Sequence, residues 1–163
     1  MNLAVEVDSH TVVSDFWTLF FYGSKTLEGS GAVCVLIDPK NNKHFLSCRL
    51  EFECTNNTAE YEALVQGLRK AIELKANNLK VFGDSEIIVK QIWNQIHCIS
   101  PHLKAYQNEV WDLLKCFNTF NIISIPRLKN AAADLFATSA ARIVPSNNRD
   151  ALLNCFSRPL FQT

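Results

Sequence analysis

Thr55-Asn56-Asn57-Thr58-Ala59-Glu60-Tyr61-Glu62-Ala63-Leu64 is polar at its start and apolar along one face afterwards. Thr55 or Asn56 can cap a helix, because a short side-chain oxygen accepts the free N–H groups of the first turn. Beyond the cap, Ala63, Leu64, Gly67, Leu68, Ala71 and Ile72 recur at helical spacing on one face. The spacing predicts a helix from Asn56 to Ala76, ended by Asn77-Asn78, since asparagine tolerates the left-handed cap conformation. Glu60 lies one turn before Ala63 and Leu64 on that face, so it points toward the core side. An ionised carboxylate there is costly unless something positive meets it. Two readings stand for Glu60: a cation ligand, or an acid that favours the helix dipole from the first turn.

Upstream of this helix the signals are those of strands. Phe16 to Tyr22 is a dense aromatic and β-favouring run, and its nearly continuous apolar character suggests that both faces are covered. Ala32 to Ile37 and His44 to Leu50 are two further strands. Gly23-Ser24-Lys25, Glu28-Gly29-Ser30-Gly31 and Asp38-Pro39-Lys40-Asn41-Asn42 read as turns, which makes an antiparallel meander. Downstream, Leu79 to Phe82 is short, apolar and preceded by a helix, so it is a candidate parallel partner of the first strand. A second helix is expected from Ser85 to about Trp93. A third starts at Pro101, with Leu103, Tyr106, Val110, Leu113 and Leu114 on its apolar face. Asn118 to Ile125 is a strand, and Asn130 can cap a last helix from Ala131 to about Ile143. The order β-β-β-α-β-α-α-β-α is an α/β arrangement: a five-stranded mixed sheet with helices packed on it.

The domain boundaries follow: residues 1–15 as a lead-in, 16–143 as one domain, and 144–163 as an extended or disordered tail with two prolines. The whole chain of 163 residues is long enough for one sizeable core. Sixteen basic and sixteen acidic side chains balance, so no global charge draws the protein to nucleic acid, and any such contact must come from a local patch. The six cysteines show no Cys-x-x-Cys pair, and residues 1–10 carry no apolar run of secretory type. Together they predict reduced, mostly buried thiols in an intracellular chain, cytoplasmic or nuclear. No window has the length of a membrane span.

Three acids stand at chemically interesting places. Glu60 starts a helix, Asp84 ends a strand, and Asp134 sits in the last helix between the small residues Ala131 and Ala137. Each also has a plain structural reading. Asp84 before Ser85-Glu86-Ile87 is a good N-cap, and Asp134 is an ordinary helix acid. Converging carboxylates are what Mg²⁺ needs, with its near-octahedral oxygen coordination and retained waters. Two such ions can clamp the attacking and leaving oxygens of a phosphodiester. Spacing by itself does not show convergence.

The set of motifs resembles a type 1 ribonuclease H domain. The runs are Gly29-Ser30-Gly31-Ala32, Thr55 to Leu64, Val81-Phe82-Gly83-Asp84-Ser85, and Ile125-Pro126-Arg127 with Asn130 and Ala133-Asp134. It is most similar to the variety in plant gypsy-type LTR retrotransposon polyproteins and related reverse-transcriptase-like plant proteins, over about residues 16–143. The resemblance implies a five-stranded mixed sheet and Mg²⁺-dependent cleavage of the RNA strand of an RNA/DNA hybrid, with Mn²⁺ as a substitute ion. It implies Glu60, Asp84 and Asp134 as metal ligands. It also implies Asn56 and Asn57 as contacts to the minor groove, where the 2′-hydroxyls of RNA are displayed. For either asparagine, a helix cap or turn is the competing role.

One position departs from the family. Where its first strand ends in an aspartate followed by Gly-Ser, this chain has Tyr22-Gly23-Ser24. That acid bridges both ions in the family. A neutral phenol does not replace it at pH 7, since its reference pKa is about 10. The nearest other acids, Asp15 and Glu28, do not sit at the strand's end. The expectation is a metal site that is weak or absent, with nuclease activity lost or reduced. The remaining role is binding of an RNA/DNA hybrid or duplex nucleic acid, or of a protein partner. Neither a membrane nor a small-molecule substrate is expected. Lys25, Lys90, Arg127 and Lys129 are candidates for a basic strip along a hybrid. Singly, each is also a solvated surface cation. Trp93 is read as packing rather than stacking on a base. The tail ending Arg158-Pro159-Leu160 resembles the segment that follows this domain in such polyproteins, which implies a retroelement origin.

Overall fold

The structure, a computed structural model, describes residues 15–26, 29–50, 55–126 and 153–156. Its strands are β1 (Phe16–Thr26), β2 (Gly29–Ile37), β3 (Lys43–Leu50), β4 (Asn78–Gly83), β5 (Thr119–Ser124) and β6 (Leu153–Phe156). Its helices are α1 (Asn56–Glu73), α2 (Glu86–Ile92) and α3 (Pro101–Leu114). The sheet order is β5-β4-β1-β2-β3-β6. β1, β2 and β3 form the antiparallel meander, and β4 and β5 add in parallel on the other side of β1. The expected five-stranded mixed sheet is therefore present. A sixth strand, from the segment read as a tail, pairs in parallel with Ser47–Leu50 of β3. The expected helix from Ala131 to Ile143 lies outside the described residues.

α1 is the central helix. Thr55 is its N-cap, and its hydroxyl accepts from Thr58 N at 3.2 Å. Every residue from Thr58 to Val65 is buried, so α1 is enclosed rather than laid on a surface. Leu19, Phe21, Cys34 and Leu36 of the sheet pack with Leu64, Leu68 and Ala71 of this helix in one core. α3 closes over α1 with Tyr106, Val110 and Leu114 from the apolar face that the spacing marked. Burial of this kind stabilises by roughly 25 cal/mol per Å² of apolar surface.

Two readings of local chemistry are corrected. Gly23-Ser24-Lys25 and Gly29-Ser30-Gly31 are not turns but the paired ends of β1 and β2. A side chain at Gly23 would place its Cβ 2.4 Å from Glu60 N and 2.5 Å from Ala59 C, so glycine is there because α1 crosses the strand against its backbone. Asn77-Asn78 does not end the helix either. Lys75 takes the left-handed conformation at φ 66°, and Ala76 N donates back to Ala71 O at 2.9 Å. The asparagines serve the next strands instead: Asn77 O accepts from Asn118 N, and Asn78 Oδ1 accepts from Thr119 Oγ1, each at 2.8 Å. The Asp38 turn is as read, with Asp38 Oδ1 accepting from Lys40 N at 3.0 Å and Asn42 N at 2.8 Å.

Candidate functional site

Two independent constraints bring the chain positions of Glu60 and Asp84 near the same end of β1. The first is the contact at Gly23, which holds the backbone of Ala59 and Glu60 against β1. The second is the parallel register of β1 and β4, in which Phe21 pairs with Gly83. Tyr22 and Asp84 each follow that last register pair by one residue. Tyr22-Gly23 thus stands between the chain positions of Glu60 and Asp84. Gly83 contributes as well, because a Cβ there would fall 2.4 Å from the Phe21 ring, which occupies the space between the strands' side chains.

Glu60 is buried, as its place on the helix predicted. It lies in the second turn, past the cap, so the dipole at the helix mouth is not what explains it. Asp84 is half-buried, with Oδ2 shielded from solvent. Its capping role goes elsewhere: Ser85 is the N-cap of α2, and its hydroxyl accepts from Ile88 N at 3.3 Å. The plain structural reading of Asp84 is therefore removed. Tyr22 is only 4% exposed. Side chains alternate along β1, and its ring packs with Val33 and Phe20 on the face away from α1. Among the described residues, no group of three His, Cys, Asp or Glu side chains is placed to hold a metal ion. Asp134, the third expected acid, lies outside the described residues, as do Arg127 and Lys129.

The expected groove residues are partly accessible. Asn56 is exposed and Asn57 half-buried, both in the first turn of α1, beside the Thr55 cap. Lys90 pairs with Glu86 across one turn of α2 at 3.4 Å, an exposed pair of the kind that contributes little. Trp93 does pack, but at the surface. Its Nε1–H donates to Ile122 O at 2.8 Å and its ring stacks on Phe120. It thereby covers part of edge strand β5, whose exposed backbone would otherwise invite pairing.

Sequence reasoning passed over Glu62, which is more buried than Glu60, at 1% exposed. It accepts a hydrogen bond from Tyr106 Oη of α3. Beside it, Tyr61 Oη donates to Gln91 Oε1 at 2.7 Å, and the Tyr61 and Tyr106 rings stack. Burial pushes the Tyr61 hydroxyl well above the ordinary tyrosine range, with the nearby Cys98 thiolate form adding to it, so this group is a fixed donor. No local sequence signal marks Glu62, because its donor lies 44 residues away on α3.

The sheet order and the crossing of α1 over β1 are those of a ribonuclease H-like domain. Solved structures agree. RNase H1 from the archaeon Halobacterium salinarum NRC-1 superposes with a TM-score of 0.68 at 25% identity, covering 76% of this chain and 96% of that one. LC11-RNase H1 in complex with an RNA/DNA hybrid gives 0.68 at 27% identity, covering 76% and 94%. In sequence, the Ribonuclease HI of Halobacterium salinarum is 33% identical over 86 residues, which is 53% of this chain and 43% of that protein. YpeP of Bacillus subtilis, an uncharacterized protein, is 30% identical over 125 residues, or 72% of this chain and 55% of that protein. The chain thus spans little more than half the length of the relatives it matches in sequence, or less. It belongs to the reverse transcriptase-like family, which matches residues 21–140.

Proposed function

We propose that this chain is a nucleic-acid-binding ribonuclease H-like domain of retroelement origin whose two-metal centre is broken at Tyr22. The observation that carries the reading is Tyr22 itself: a buried phenol, 4% exposed, one residue past the Phe21–Gly83 pair that leads to Asp84 and one residue before the glycine packed against the Glu60 backbone. A hard divalent cation takes carboxylate and water oxygens. A neutral phenol turned into an apolar cluster with Val33 and Phe20 offers neither charge nor a free oxygen at that point. Glu60, Asp84 and Asp134 are the inherited ligands, and without the bridging acid they do not fit a pair of ions. Asn56 and Asn57, with Lys90 and Arg127 on the flank, are the contacts proposed for an RNA/DNA hybrid. LC11-RNase H1, solved with such a hybrid, supports that ligand class.

A second reading is favoured by the retained pair of acids. Glu60 and Asp84 both lie near one end of β1, and a single Mg²⁺ or Mn²⁺ held by them would leave a weakened hybrid ribonuclease. Incubation with a labelled RNA/DNA hybrid and Mg²⁺ or Mn²⁺, beside the Tyr22→Asp variant, separates the two. Binding without cleavage by the native chain supports the first reading. Cleavage by the native chain that is lost on Asp84→Asn supports the second. Hybrid affinity should fall steeply with salt if phosphate contacts carry it, and a flat response would point to a protein partner instead.

A further inference from the structure

Glu60 is followed at once by two side chains that turn into the interior, and both are tied to other helices. Tyr61 Oη donates to Gln91 Oε1 of α2 at 2.7 Å, and Glu62 accepts from Tyr106 Oη of α3. Gln91 is held a second time through its backbone, since its carbonyl accepts from Gln107 Nε2 at 2.6 Å. The carbonyl of Ile92 accepts from Trp111 Nε1 at 2.9 Å. Tyr61, Gln91, Tyr106 and Gln107 are all buried.

α2 needs such ties. It has seven residues, too few to remain helical on propensity alone, so its placement comes from packing. Ile88, Val89 and Ile92 supply burial, but burial has no direction and tolerates sliding and rotation of two short turns. The Tyr61–Gln91 hydrogen bond does have direction. A leucine at position 91 would fill the same interior with no polar group to satisfy. The side chain present instead joins the helix that begins just after Asp84 to the residue just after Glu60. We propose that Gln91, acting through Tyr61, is a positioning residue that fixes the separation of Glu60 and Asp84. The proposal rests on the reading of those two acids as one site.

The test uses the full chain and three variants. Gln91→Leu removes the acceptor, Tyr61→Phe removes only the donor hydroxyl and keeps the ring stack, and Val110→Ala takes buried volume from α3 away from the tie. Backbone amide resonances are read at the remote acid in each case. Gln91→Leu should displace the Glu60 amide, and Tyr61→Phe should displace the Asp84 amide. Val110→Ala should leave both in place at a comparable loss of melting temperature. If Gln91→Leu does not fold, the Tyr61→Phe shift at Asp84 decides alone. In the chain carrying Tyr22→Asp, Gln91→Leu should weaken Mn²⁺ binding, followed by water-proton relaxation, about tenfold. Val110→Ala should not weaken it. Amide shifts no larger than those of Val110→Ala, or equal Mn²⁺ affinities in the two variants, would overturn the proposal. Should Tyr22→Asp bind Mn²⁺ no better than the native chain, the reading of Tyr22 as the break fails. The amide shifts in the native background still decide on Gln91.

Discussion

Glu60 and Glu62 are two buried acids only two residues apart on α1, on different faces of the helix, and the fold treats them differently. Glu62, 1% exposed, is answered from within, because Tyr106 of α3 donates to it in a fully enclosed polar cluster. Glu60, 8% exposed, lies where the α1 backbone presses on Gly23, at the end of the sheet that also carries Asp84. One face of the helix is completed by its own chain. The other holds Glu60 against β1, near the end of the sheet where Asp84 follows β4. On the proposed reading, the contrast separates a carboxylate kept for structure from one kept for a ligand.

The comparison can be broken at its hinge first. Gly23→Val puts side-chain atoms where the α1 backbone runs, and a backbone does not step aside as a side-chain tip does. It should cost about 3 kcal/mol or more in denaturant unfolding. A variant near native stability would mean that α1 is not held against β1 as described. Next, Tyr106→Phe strips the donor from Glu62 and leaves a buried carboxylate short of a hydrogen bond, a loss of about 2 kcal/mol. If Tyr106→Phe is neutral by the same measurement, Glu62 is not the structural acid.

Glu60→Gln sharpens the contrast from the other side. On the proposed reading it removes a charge that crowds Asp84, so stability should rise or stay within about 0.5 kcal/mol of native. A large loss would put Glu60 with Glu62 among the structural acids. The smallest effect is expected at Lys90→Ala. Its exposed pair with Glu86 should be worth less than about 1 kcal/mol, while the salt slope of hybrid binding falls slightly if Lys90 meets a phosphate.

Much of this organisation is legible in the sequence because it rests on local rules. The Thr55 cap and the Pro101 start of α3 are local chemistry, and the structure has both, while the cap of α2 passes from the expected Asp84 to Ser85. The burial of Glu60 follows from helical periodicity. What misleads is glycine. Gly23 and Gly29 to Gly31 carry the composition of turns, yet they lie in paired strands, and the reason at Gly23 is a helix that arrives from distant sequence. The buried cluster around Glu62 is hidden for a related reason. Tyr61–Gln91 and Glu62–Tyr106 join residues 30 and 44 apart, and no window of sequence displays such a pair. For the site itself, motif order names Glu60 and Asp84, while only the strand register shows that Tyr22 and Asp84 each follow the Phe21–Gly83 pair.

On the proposed reading, Tyr22 is what stands between this chain and a working two-metal centre. Cleavage of a labelled RNA/DNA hybrid in Mn²⁺, native chain against Tyr22→Asp, tests it most directly. The account predicts no cleavage by the native chain and cleavage by Tyr22→Asp that disappears when Glu60→Gln is added. Cleavage by the native chain that is abolished by Asp84→Asn would contradict it.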